Sequence, residues 1–159
     1  METPASVAKH PIHAMLVPIP TGLFLAALVF DLAYLVTGRS DWSVIAFWDI
    51  AAGLAGALLA AVPGLIDYLW LRQPARRVGT WHMAINLTVV AVFAANLLAR
   101  TEAGRAVLGP GSEVPLTLTV VGVALLLVSG WLGGEMVYRH RVGVEEPLQR
   151  LTRHDRRVA

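Results

Sequence analysis

Four stretches of the chain are apolar for long enough to cross a bilayer, and polar turns separate them. They run from about residue 14 to 36, 44 to 71, 81 to 99 and 115 to 137. Each approaches or exceeds the roughly 20 residues that a helix needs to span about 30 Å of hydrocarbon. The first holds Asp31 and two prolines and lacks the small-residue exit of a cleaved signal, so it reads as a retained span. Residues 38–41 and 72–79 are short polar turns, and residues 100–114 form a longer one around Gly109, Pro110 and Gly111. The pattern predicts an all-α, integral membrane, four-helix up-down bundle over residues 1–140, followed by a charged tail over 141–159. No internal repeat stands out. Small residues recur every four positions at Ala52, Gly56, Ala60 and Gly64, and Ser129 and Gly133 do the same beside Gly130 and Gly134. Such spacing lets helix backbones approach closely in lipid.

Composition agrees with this picture. Hydrophobic residues make up 56% of the chain and charged residues 15%, too little charge to cover a soluble domain of 159 residues. Cysteine is absent, which excludes disulfides, thiolate-held iron–sulfur clusters, a thiolate haem ligand and covalently attached c-type haem. Charge also sets a direction. Lys9, Arg72, Arg76, Arg77, Arg139, Arg141, Arg150, Arg153, Arg156 and Arg157 fall on the side of the termini, whereas Arg39, Arg100 and Arg105 fall on the other. The positive-inside rule then makes both termini cytoplasmic. These arginines flank spans, so anionic lipid or a bound acidic group accounts for them better than nucleic acid does.

The remaining chemistry lies in polar residues at membrane depth, where they are expensive and usually functional. His10 and His13 open the first span, His82 opens the third and His140 closes the fourth. The topology places all four in one cytoplasmic layer. On the third span His82, Asn86, Phe93 and Asn96 share one stripe; on the fourth, Ser129, Gly133, Met136 and His140 do. The small residues of the latter stripe leave room beside His140 for a flat group. Asp67 reaches the same depth on the second span, where it can orient an imidazole, ligate a metal or pair with Arg72. Asp31 and Asp49 mark the opposite leaflet and read as partners for Arg39, Arg100 or interfacial donors. Glu135 precedes Arg139 by four and reads as a helical ion pair. Pro63, Pro18 and Pro20 remove helix donors and widen the bundle at the histidine end.

Several segments carry a family resemblance: His10-Pro-Ile-His-Ala-Met-Leu-Val-Pro-Ile-Pro20, Phe30-Asp-Leu-Ala-Tyr34, Gly64-Leu-Ile-Asp-Tyr68, Trp81-His-Met-Ala-Ile-Asn86 and Gly130-Trp-Leu-Gly-Gly-Glu-Met-Val-Tyr-Arg-His140. With them the chain resembles the bacterial four-span membrane proteins catalogued as domain of unknown function 2231, over roughly residues 9–144. The resemblance implies a multi-pass protein of the bacterial plasma membrane. It also implies similarity in architecture to b-type cytochromes, and relatives that occur with Rieske-type iron–sulfur proteins. Two-haem cytochromes place histidine pairs in both leaflets; this chain has them in one, so one haem is the most it is expected to hold.

Neutral imidazole is the usual nitrogen ligand of haem iron and of zinc, copper and nonhaem iron. The leading expectation is a membrane b-type cytochrome that carries single electrons on one noncovalent haem b. It is an electron carrier or redox subunit rather than a stand-alone enzyme, with no catalytic residues assigned. Axial ligands are ranked His82, His13, His140, His10, because the first and third helices of an up-down bundle face each other diagonally. Arg72, Arg76 and Arg77 are expected near the propionates. Two alternatives stand beside it: a site for iron, copper or zinc built from the same histidines and Asp67, and a non-redox anchor for a partner enzyme. Expected partners are the lipid bilayer, an iron–sulfur or other redox protein and a second copy of the chain.

Overall fold

The structure, a computed structural model, describes residues 4–102 and 113–144. The tail beyond residue 144 and most of the 100–114 turn lie outside the described residues. A two-residue-per-strand hairpin, β1 (Ser6–Val7) and β2 (His10–Pro11), precedes the helices α1 (Ile12–Leu16), α2 (Pro18–Thr37), α3 (Ser40–Trp70), α4 (Ala75–Glu102) and α5 (Glu113–Tyr138). α1 and α2 together form the first span, and all four spans are long and apolar enough to cross a membrane. The helices run past the apolar windows read from the sequence because their polar ends continue the helix beyond the hydrocarbon. Pro18 and Pro20 cannot donate to the carbonyls four residues back, and the helix breaks briefly at Val17. α3 stays continuous through Pro63. α2 ends at Gly38, whose left-handed φ of 68° lets its N–H close on the Tyr34 carbonyl at 2.8 Å.

α2 packs mainly on α3 and α4 on α5; contacts of α3 with α4 and of α2 with α5 close the ring. The first and third spans therefore lie on one diagonal. The outer face is apolar, with Trp48, Leu58, Leu59, Leu87, Leu98, Leu127 and Trp131 facing outward; the interior holds a core of Phe24, Ala27, Ala46, Ile50, Val89, Phe93 and Val123, with Asp31, Ser43, Asn96, Arg100, Thr119 and Ser129 buried beside it. Lipid supplies no hydrogen bonds, so polar groups gather where protein partners exist.

The structure also holds an internal duplication, which the sequence does not display. Residues 69 positions apart occupy equivalent places in the helix pairs α1–α3 and α4–α5, as the Asp31–Arg100 separation illustrates. Phe24 and Phe93 stack across the diagonal with ring centres 3.9 Å apart and planes within 4°. Each lies against a glycine of its own partner helix: a Cβ on Gly53 would come within 2.7 Å of Phe24, and one on Gly122 within 2.7 Å of Phe93. His13 bonds Ala60, and His82 bonds Ser129, in both cases 47 residues ahead. The two halves are thus related by an approximate two-fold axis along the bundle. Few paired positions keep the same residue. What persists is side-chain size and backbone contact, and a pattern of identities carries neither.

Candidate functional site

Three layers follow one another along this axis: His13 with His82, Phe24 with Phe93, and Asp31 with Arg100. At 1.5 Å per helical residue, the outer two layers are separated by about 27 Å, close to the hydrocarbon thickness.

His13 and His82 come together at the first layer, with ring centres 6.4 Å apart and planes at 87°. His13 Nδ1 lies 2.8 Å from the Ala60 carbonyl, and His82 Nδ1 lies 2.9 Å from the Ser129 carbonyl. A carbonyl only accepts, so both Nδ1 atoms carry a proton, and a ring that holds a single proton then has its lone pair on Nε2. This is the tautomer that metal-ligating histidines adopt when the other nitrogen is tied down. Ser129 Oγ lies 3.0 Å from the same His82 nitrogen. The glycines seat the rings: a Cβ on Gly64 would come within 2.6 Å of His13 Nδ1, and one on Gly133 within 3.4 Å of His82 Cε1. The small residues of α5 therefore serve His82, where the sequence pattern suggested room beside His140.

The other candidate residues are dispersed. His10 is exposed on the hairpin, its Nδ1 on the Ala8 carbonyl at 2.9 Å. His140 is half-buried just past α5, its backbone N–H directed to the Glu135 carbonyl. Among the described residues no group of three or more His, Asp or Glu gathers as a metal site. Asp67 accepts the Ala5 N–H at 2.9 Å and so fastens the N-terminal segment to α3, a role that no side-chain pattern signals. Arg72, Arg76 and Arg77 are exposed at this end; Arg76 lies over the Tyr68 ring at 5.6 Å, and the Tyr68 hydroxyl meets Thr80 at 3.0 Å.

The third layer is a hydrogen-bonded network in which Asp31 Oδ1 and Arg100 Nη1 stay buried without a partner among the described residues. Arg100 Nη2 donates to Asp31 Oδ2 at 2.6 Å and Arg100 Nε to Asn96 Oδ1 at 2.9 Å. Asn96 Nδ2 donates to Thr119 Oγ1 at 2.8 Å, which in turn donates to Asp31 Oδ2 at 2.8 Å. Asp31 has the arginine partner expected of it. Arg100 itself is a buried helix residue, not a loop charge. Asp49 differs from expectation: its Oδ2 is buried with no partner among the described residues, because Arg39 pairs with Asp41 at 3.0 Å. Glu135 and Arg139 form the predicted ion pair at 2.7 Å.

A family model described as "Predicted membrane protein (DUF2231)" matches residues 9–146. The chain belongs to this family. Its matched region takes in both helix pairs, and hence both histidines of the first layer. Comparison with the curated proteins and with the solved structures finds no match.

Proposed function

We propose that this DUF2231 protein is a membrane b-type cytochrome whose single haem b is held between His13 and His82. The observation that carries the reading is the pair itself: two imidazoles, one from each half, both tied through Nδ1 to backbone carbonyls. With a nitrogen–metal bond of about 2 Å and about 1.2 Å from ring centre to nitrogen, two imidazoles that held one iron between them would stand about 6.4 Å apart. The observed separation is 6.4 Å. A tetrahedral ion would draw the ring centres to about 5 Å and needs further ligands. Haem asks for two imidazoles and no more, which is why it is preferred to a bare iron, copper or zinc ion.

Bound there, haem supplies a one-electron iron couple. The chain's own residues bind and insulate it. Ala60 and Ser129 orient the ligands, and the Phe24–Phe93 stack closes the axis below them. Arg72, Arg76 and Arg77 offer cations to propionates at the membrane surface. His13 and His82 would hold the haem from both sides and would leave it no substrate site, so the role assigned is electron transfer with a redox partner. Both termini and the histidine end are assigned to the cytoplasmic face of a bacterial plasma membrane, on the arginine bias.

The test is haem titration of the detergent-purified protein. One haem per chain with a low-spin, six-coordinate spectrum is expected. His82→Ala should abolish uptake and His10→Ala should retain it. Stoichiometric iron, copper or zinc without haem would transfer the assignment to a metal ion. Neither haem nor metal would leave a membrane anchor.

A further inference from the structure

The two histidines are equivalent by position but not by surroundings. Asn86, one turn after His82, places its Nδ2 3.0 Å from His82 Nε2 and 3.0 Å from the His82 carbonyl. Because Nδ1 holds the ring proton, Nε2 can only accept, and the amide group facing it must be the NH₂. The nitrogen that would reach a metal centre is therefore already engaged. The equivalent of Asn86 in the first half is Val17, which has no donor to offer. No described residue bonds His13 Nε2. The same one-sidedness recurs down the axis: Ala27, Ile50 and Ala60 correspond to Asn96, Thr119 and Ser129. At these positions the second half carries the polar residue, and Asn86 is the one aimed at His82 Nε2.

We propose that Asn86 is a positioning residue that latches His82 Nε2 before haem is bound and competes with the iron for it. The proposal rests on the haem reading. It makes His13 the open ligand, ready on arrival, and His82 the ligand that completes the site only when the amide lets go. Asn86 keeps its bond to the His82 carbonyl on release, so the latch opens by one hydrogen bond. Until then the amide holds the imidazole in one rotamer and keeps its lone pair from adventitious ions.

The test compares wild type, Asn86→Val and Asn86→Ala as full-length protein in the same detergent. Val copies the first half, so the variant is built from a side chain the fold already accepts. In the haem-free protein, ¹⁵N spectra should show the His82 Nε2 resonance moving in both variants while the His13 ring resonances stay. Haem titration should then show uptake tightened by roughly five- to ten-fold in both variants, the worth of about one hydrogen bond. The step that completes six-coordination should also be faster. An unmoved His82 resonance, or equal haem affinity in all three proteins, overturns the latch and leaves the haem reading standing. No uptake by any of the three, wild type included, overturns both.

Discussion

The two ends of the axis carry equivalent pairs from the two halves, yet they differ in kind. His13 and His82 are alike; Asp31 and Arg100 are opposites. Opposites can pair, and at the third layer they do through Arg100 Nη2 and Asp31 Oδ2, with Asn96 and Thr119 extending the network while Arg100 Nη1 and Asp31 Oδ1 stay unpartnered among the described residues. Two imidazoles with their protons on Nδ1 cannot pair through Nε2, since both would accept. A like pair on a two-fold axis has use for a third party that accepts two lone pairs from opposite sides. The closed end is read as the element that holds the halves in register, the open end as the element that binds.

The largest effect should come from breaking the closed end on one side. Arg100→Leu leaves Asp31, which is fully buried, without its counter-charge. Removing one partner of such a pair costs about 3–5 kcal/mol. The expected outcome is a sharp drop in folded yield and in unfolding midpoint in detergent. Asp31→Leu combined with Arg100→Leu should recover most of the loss, since an apolar pair is often no worse than a buried ionic one. If the double variant is as unstable as the single one, this layer does more than neutralise itself. His82→Ala is the contrasting case, and should abolish haem uptake with only a small change in the stability of the haem-free protein.

How much of this was legible in the sequence follows the same division. The four spans were, because hydropathy over 20 residues leaves few alternatives. The pairing of His13 with His82 was as well, from depth and the diagonal of an up-down bundle. Arg100 was legible as one possible partner of Asp31 but its burial was not, because a charge at the end of an apolar run resembles a loop residue. The orienting groups of both histidines were hidden, since their acceptors are the backbone carbonyls of Ala60 and Ser129, and every residue has one. The duplication was hidden for a related reason: Gly53 and Gly122 recur, as do Gly64 and Gly133, but most of the positions between them have diverged.

A smaller effect should separate the two glycines that seat the histidines. A Cβ at Gly64 would fall 2.6 Å from His13 Nδ1, so the ring has to move off the Ala60 carbonyl. At Gly133 the nearest ring atom is 3.4 Å away, a contact the ring can absorb. Gly→Ala within a helix adds up to about 1 kcal/mol of propensity at either position. Gly64→Ala should therefore weaken haem binding by more than about ten-fold, and Gly133→Ala by no more than about three-fold, while both helices keep their stability. Equal losses would mean that the axis is more symmetric than the contacts describe.

The smallest effect is expected at Asp67, beside the open end but outside it. Its carboxylate holds the Ala5 N–H, and the Ile12 N–H closes on the Ala5 carbonyl at 3.0 Å, so the N-terminal segment is clipped at the start of the first span. Asp67→Asn keeps an acceptor oxygen in place, whereas Asp67→Ala removes it. A hydrogen bond from a backbone amide to a charged group contributes about 1.5–3 kcal/mol, less where water reaches it, as it does at this half-buried position. Asp67→Ala should raise amide exchange at residues 5–7 and leave the rest of the bundle protected. Haem affinity should fall by no more than about two-fold, because both imidazoles are oriented by Ala60 and Ser129 and neither by a carboxylate. A loss as large as that of His82→Ala would instead make Asp67 a partner of the ligands and draw the binding end outward along α3.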